Sequence, residues 1–320
     1  MQINFLKRAK TLTYACLFLL ISVIGISGQS TFRKILDFDG DQRADFAVVR
    51  HENNLKFWYI WQSTAGFRAV QWGLLGDFNA TGDYDGDGKT DIAVYRGVNI
   101  PPNSFRHDYY ILQSVDNSFA SKSITTIRAN FHFANQQDYD GDGKTDPTGG
   151  FFYDTQGGER ILLSSTNSLR AVGYNYQSPI RIGDMDGDGS AESASRNINN
   201  NFVTWTNLTN GNTRSIQFGL SADQFVPADF DGDGKGDLTV WRPSEGNWYW
   251  LRSSDNVFQG IHWGLENDIP VPADYDGDGK TDQAVYRRGS PNGVYYINGS
   301  LTGFRAFVWG TSSTDAPVTY

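Results

Sequence analysis

The sequence predicts an all-β chain folded as a six-bladed β-propeller of four-stranded blades. Three observations predict it. A string of the form D-x-D-x-D-G-x-x-D, or a close variant, occurs six times, starting at Asp37, Asp83, Asp138, Asp184, Asp229 and Asp274. The spacings are 46, 55, 46, 45 and 45 residues, and a further 46 separate Asp274 from Tyr320. The runs between the strings are short, rich in β-branched and aromatic residues, and bounded by Gly, Pro, Asn and Asp turns. No stretch after residue 28 holds the 3.6-residue apolar period of a helix.

The first element is an address. Residues 1–28 read as a secretory signal peptide, with Lys7, Arg8 and Lys10 ahead of an uncharged apolar run over 11–26. Small residues follow at Ser27 and Gly28 and suit cleavage there. The run is shorter than the roughly 20 residues that cross a bilayer; an uncleaved anchor is the alternative. Cys16 lies inside it and leaves with it, so the mature chain, 29–320, has no cysteine. A secreted protein without disulfides needs another staple. This element predicts an extracellular, cell-surface or periplasmic destination, with no membrane span after cleavage.

Charge narrows the partners. The chain has 27 Lys plus Arg against 36 Asp plus Glu, a net −9. The signal peptide removes three positive residues, leaving 24 − 36 = −12. Such acidity argues against nucleic acid or an anionic membrane as partner, because both demand clustered positive charge. Hydrophobic content of 39% excludes general disorder.

Each repeat follows one grammar. The approximate limits are 37–82, 83–137, 138–183, 184–228, 229–273 and 274–320. In the fifth, a strand runs after the acidic loop to Arg242, a Pro-Ser-Glu-Gly turn follows, and two more strands lie around 248–252 and 258–264. With one strand ahead of the loop, each repeat has four. Such a sheet buries both faces only by stacking on neighbours around an axis. Residues 315–320 resemble 268–273, the entry to the sixth loop. The tail is therefore expected to pair beside residues 33–36 and close the ring; seven-fold closure is the alternative.

The loops carry the chemistry. In Asp83-Tyr-Asp85-Gly-Asp87-Gly-Lys89-Thr-Asp91, carboxylates fall at positions 1, 3, 5 and 9, with a turn-forming glycine at position 6. Position 7 offers its main-chain carbonyl: Arg43, Lys89, Lys144, Ser190, Lys235 and Lys280 in the six copies. Hard oxygen ligands on a flexible loop select calcium over softer-ligand metals. An EF-hand is excluded, since position 12 is Val48, Val94, Val240 or Val285 in four copies rather than Glu.

The loops and their period resemble the FG-GAP, or VCBS, repeat family found in integrin α-subunit propellers and secreted bacterial proteins. The resemblance rests on Asp37, Asp39, Asp41 and Asp45; Asp83, Asp85, Asp87 and Asp91; Asp138, Asp140, Asp142 and Asp146; Asp184, Asp186, Asp188 and Glu192; Asp229, Asp231, Asp233 and Asp237; and Asp274, Asp276, Asp278 and Asp282. It implies calcium loops, up to six ions, between the first two strands of each blade. Four departures stand out. Gln42 replaces glycine at position 6 of the first loop, and Glu192 replaces Asp at position 9 of the fourth. Pro147 follows the third loop, whose last strand lacks the Trp-Gly or Phe-Gly ending of four other copies. The second copy carries an insertion over 99–104, expected on a loop.

Other residues are read against their repeat positions. Arg50, Arg96, Arg196, Arg242 and Arg287 recur after the loops, with Phe151 in the third copy, and fit ion pairs or hydrogen bonds between blades better than a ligand site. Most tryptophans recur at shared positions and fit blade packing, whereas Trp61 and Trp250 are less regular and are candidates for exposed platforms. His51, His107, His132 and His262 share no position, and no nucleophile–base set is visible. The expected function is a secreted, monomeric, non-catalytic calcium-binding module for an extracellular protein or glycan, serving binding or adhesion. A lectin-like propeller is the alternative, and a polysaccharide lyase or hydrolase a further one.

Overall fold

A computed structural model describes residues 35–127, 135–153, 156–174, 177–289, 291–311 and 314–319. The signal segment with Cys16, the first part of 33–36, and His132 lie outside these residues. Among the described residues there is no helix long and apolar enough to cross a membrane.

Every sheet but the first is an antiparallel meander of one local segment, which is how a repeat of this length folds when its apolar positions alternate. The second sheet runs Phe78–Asn79, Ile92–Ile100, Ser104–Leu112 and Phe119–Ile127. The fourth runs Ser178–Ile180, Ser193–Arg196, Phe202–Thr206 and Thr213–Gln217. The fifth runs Gln224–Phe225, Leu238–Arg242, Asn247–Leu251 and Phe258–His262. The sixth runs Ile269–Pro270, Gln283–Arg287, Val294–Gly299 and Gly303–Val308. The third shows three strands among the described residues, Thr148–Tyr153, Gln156–Leu163 and Ser168–Gly173, plus a bridge from Gln137 to Asp146.

The first blade joins the two ends of the chain. Phe46–Glu52, Leu55–Gln62 and Gly66–Leu74 are completed by Ala316–Pro317, which pairs Val48 with Pro317 and Val49 with Ala316. The ring therefore closes at six blades, and the seven-bladed alternative falls away. The hydrogen-bonded partner of the tail is the strand after the first loop, not the segment before it. Val318 N–H donates to Ala47 O as Val271 N–H donates to Ala284 O in the sixth blade. The tail thus occupies the first-strand slot, and Ile35 and Leu36 continue its path into the loop.

The segments that enter the acidic loops line a central cavity of about 500 Å³, and the fourth strands face the rim with alternating exposed residues. The third strand carries the packing. Its central side chain is Trp58, Tyr109, Trp248 or Tyr295 in four blades, each fully buried. Burying one such aromatic contributes about 1.5–3 kcal/mol. Their polar atoms are satisfied: Tyr109 donates to Thr148 O of the next blade and Tyr295 to Ala47 O, both at 2.7 Å. Outer tryptophans add the same link, Trp72 to Tyr110 O, Trp263 to Tyr296 O and Trp309 to Tyr59 O. The insertion in the second copy lies only partly on a loop. It lengthens a hairpin, with residues 99, 100 and 104 paired in strands and 101–103 at the tip.

Candidate metal centres

Each acidic string leads into the second strand of its blade, and the chain folds there around its own carboxylates. In every loop the position 1 Asp accepts the N–H of position 4 on Oδ1 and that of position 6 on Oδ2, as in Asp229 with Gly232 at 2.7 Å and Gly234 at 2.9 Å. Both donors need positive φ; Gly232 has +77° and Gly234 +88°. Gln42 adopts +69° at position 6 of the first loop, so the substitution keeps the turn at the cost of backbone strain. The position 9 Asp accepts the position 2 N–H on one oxygen, as in Asp45 from Phe38 at 2.8 Å.

A second segment caps each loop from above. The turn between the third and fourth strands lays a serine over the carboxylates: Ser63, Ser114, Ser164, Ser253 and Ser300 donate their N–H to the position 9 Asp at 2.6–2.8 Å. The hydroxyl of Ser253 reaches Asp233 at 2.9 Å, and those of Ser114, Ser164 and Ser300 make the same bond to Asp87, Asp142 and Asp278. In the fourth blade Asn207 does this work with one amide, donating to Asp186, Asp188 and Glu192. These residues escaped the sequence reading. The signal was present, because a serine opens that polar turn in five copies, but a turn rich in Ser and Asn needs no further explanation until the fold brings it over a loop.

The loops are also wired to one another. The position 8 N–H donates to the position 1 carbonyl of the preceding loop: Thr90 to Asp37, Thr145 to Asp83, Ala191 to Asp138, Gly236 to Asp184, Thr281 to Asp229, and Ala44 to Asp274, which completes the circle. The position 7 side chain lies across the position 4 glycine of that same preceding loop. A Cβ on Gly40 would sit 2.9 Å from Lys89 Cε, and one on Gly277 2.9 Å from Arg43 Nε. Position 7 was expected to matter through its carbonyl; its side chain also places a cation, or Ser190 in the fourth loop, against the neighbouring acidic loop.

The donor set suits a hard cation. Asp184, Asp186, Asp188 and Glu192 can bring ligand oxygens within 4.8 Å of one another, so Glu192 reaches as far as its shorter counterparts. Asp37, Asp39 and Asp41 do so in the first loop, and positions 1, 3 and 9 do so in the second, third and fifth. Asp39, Asp140 and Asp276 each hold a buried Oδ1 without a hydrogen-bond partner, all at position 3. Burial pushes the carboxyls up: Asp45 and Glu192 to about 8, Asp146, Asp229 and Asp282 to about 7. Neighbouring carboxylates add to this in each case. A bound cation would remove both penalties and satisfy the orphan oxygens.

The remaining candidates have structural places. Arg50, Arg96, Arg242 and Arg287 pair with Asp315, Asp77, Asp223 and Asp268 at 2.6–2.8 Å. The pairs run within one sheet, from second strand to the start of the first, rather than between blades. Each Asp also accepts a backbone N–H of the connection entering its blade, as Asp223 does from Leu220. Arg196 alone crosses to the next blade, to the carbonyls of Leu220 and Asp223. Trp61 is 41% exposed beside Phe67, Phe307 and Trp309, as a platform requires. Trp250 is half-buried on Phe230, with ring centroids 5.0 Å apart, and is packing rather than platform. His107 is fully buried beside Phe105 and Tyr95, while His51 and His262 are exposed.

Comparison with known proteins agrees with this geometry. Residues 37–94 match the family model described as FG-GAP-like repeat. No curated protein sequence matches the chain. Among solved structures, TolB from Acinetobacter baumannii is similar, with a TM-score of 0.56 and 15% identity, over 88% of this chain and 64% of that one. A functionally unknown protein from Desulfotomaculum acetoxidans gives 0.46 and 11% over 86% and 89% of the two chains. An apocarotenoid oxygenase of Synechocystis gives 0.47 and 6% over 85% and 74%. The chain thus spans less than two thirds of the TolB structure, and at these identities the likeness is one of fold. From the first acidic loop into the strand after the second, residues 37–94 thus match the FG-GAP-like repeat, on a chain folded as a six-bladed β-propeller.

Proposed function

We propose that this chain is a secreted, non-catalytic binding and adhesion module, monomeric, whose acidic loops each hold a structural calcium ion, up to six in all. The observation that carries the reading is the ring of loops: buried carboxylates, orphan position 3 oxygens and no cysteine in the predicted mature chain to staple the blades otherwise. Metal binding then contributes directly to folding. Extracellular modules bind calcium at roughly 0.1–1 mM, so the ions would be held outside cells and released within them.

Calorimetric melting in calcium and in excess chelator tests it. A melting temperature lowered by chelator and restored by calcium supports the reading, and an unchanged one overturns it. Release of product from a polysaccharide substrate would overturn the non-catalytic part. A second reading, binding to glycans, is favoured by Trp61 standing exposed beside Phe67. Loss of glycan binding in Trp61→Ala would support it.

A further inference from the structure

A repeat makes departures visible. Three residues before each loop, just past the first strand, stand Ala80, Val226 and Val271 in the second, fifth and sixth blades, and Val318 at the matching place in the tail. In the third and fourth blades this position holds Asn135 and Arg181. Both line the central cavity, beside Gln136, Asn79 and Gln224. Gln136 is 3% exposed and its Oε1 has no hydrogen-bond partner. Burying such an acceptor unmet is costly, so it is retained for a reason other than packing. Arg181 is the one charged residue among the described residues that line the cavity.

The wall behind these residues departs as well. Glu159, fully buried, stands where other blades hold Trp58, Tyr109, Trp248 or Tyr295. It accepts from the hydroxyl of Tyr174 and, at 3.4 Å, from that of Ser193, and the charge of Arg181 acts on it. The third and fourth blades thus concentrate the polar groups and give them depth, while Phe225, Ile269 and Pro270 supply apolar wall in the fifth and sixth. A cavity of about 500 Å³ whose wall mixes apolar residues with convergent amides and one guanidinium has the make-up of a site for a polar small molecule.

We propose that this part of the channel binds a small hydroxylated carboxylate, with the guanidinium of Arg181 meeting the carboxylate and the amides of Gln136 and Asn135 meeting hydroxyls. Guanidinium is the group suited to a carboxylate, because its fork matches both oxygens. Amides both donate and accept, as hydroxyls do, and Gln136 Oε1 gains the donor it lacks. None of the lining residues is a loop carboxylate, so the site stands apart from the calcium reading.

Isothermal titration of the calcium-loaded protein tests it, using glucuronate as probe and glucose as its neutral counterpart. The expected result is glucuronate bound at least about tenfold tighter than glucose. Arg181→Gln is expected to erase that preference, and Gln136→Leu to weaken glucuronate severalfold. Melting curves identify which variants remain folded, and either variant suffices. No saturation by glucuronate in the millimolar range, equal binding of the two sugars, or unchanged glucuronate affinity in folded variants would overturn the proposal. The chelator melt reports separately on the metal reading.

Discussion

Replacing Glu159 by Gln should stabilise the protein above neutral pH and leave it unchanged in acid. The side chain is fully buried. Burial pushes its carboxyl from an ordinary 4.5 to about 7, against the pull of hydrogen bonds from Tyr174 and Ser193 and the charge of Arg181. The native state therefore favours the protonated acid. That preference is fully present below the unfolded value and is lost as pH rises through about 7. The rise of about 2.5 units corresponds to roughly 3 kcal/mol, at 1.36 kcal/mol per unit. Glutamine resembles the protonated acid: neutral, and still able to accept from Tyr174. Near pH 4, below the unfolded value, the two proteins should melt together. By about pH 8 the variant should melt about 6 °C or more higher, at roughly 2 °C or more per kcal/mol for a chain of this size. Scanning calorimetry in saturating calcium across this range is the assay. Parallel pH profiles, or a variant that is less stable at the alkaline end, would refute the reasoning.

Three further outcomes follow from the same geometry. Asp315→Asn should cost about 1.5–3 kcal/mol, because it removes the charge-assisted pair with Arg50 at the seam where the two chain ends meet; urea titration that places it level with wild type would remove the pair from the closure. Gly232→Ala should destabilise by about 1–3 kcal/mol, since the residue sits at φ +77° and its Cβ would meet Lys280 Cγ at 2.8 Å; a melting temperature equal to wild type would show that the neighbouring lysine is not held there. In chelator, the raised carboxyls of Asp45, Asp146 and Asp282 should make the melting temperature fall as pH rises from about 5 through 8, and calcium should abolish that fall; the same slope with and without calcium would mean that metal and proton do not compete for these groups.

Much of the fold was legible because a repeat states its register several times. The period set the blade number, the alternation set the strands, and the offsets of Asp83, Asp85, Asp87 and Asp91 set the loop. What escaped was whatever depends on contact between distant segments. Ser253 and Asn207 read as ordinary turn residues until the turn lies over a loop. The pairing of the tail with the strand after the first loop was misplaced because 315–320 matches the entry to a loop, and sequence likeness does not say which neighbour supplies the ladder. The repeat position of Arg50 suggests a contact between blades, but its partner, Asp315, lies 265 residues away at the start of the strand paired with it in the same sheet. Glu159 went unnoticed because its blade is the least regular. A carboxylate replacing an aromatic becomes visible only when strand pairing aligns it with Trp58 and Tyr109.

The acidity of the chain changes meaning once the loops are seen as a ring. The six loops hold 24 of the 36 acidic residues, and five of their position 7 residues are Lys or Arg. Each of those cations lies on the preceding loop, so part of the negative charge is answered by the neighbouring blade rather than by its own. Arg43 on Gly277, with Ala44 N–H on Asp274 O, carries the same contact across the seam between the last blade and the first. A loop that loses its metal, on the proposed reading, does not relax alone. Its position 1 residue anchors the next loop through a main-chain hydrogen bond, and its position 7 side chain rests on the loop before. Mutual repulsion among its carboxylates would loosen both contacts. The expected calcium dependence is therefore that of a closed ring, in which the fourth loop, with Ser190 in place of a cation, is the weakest joint.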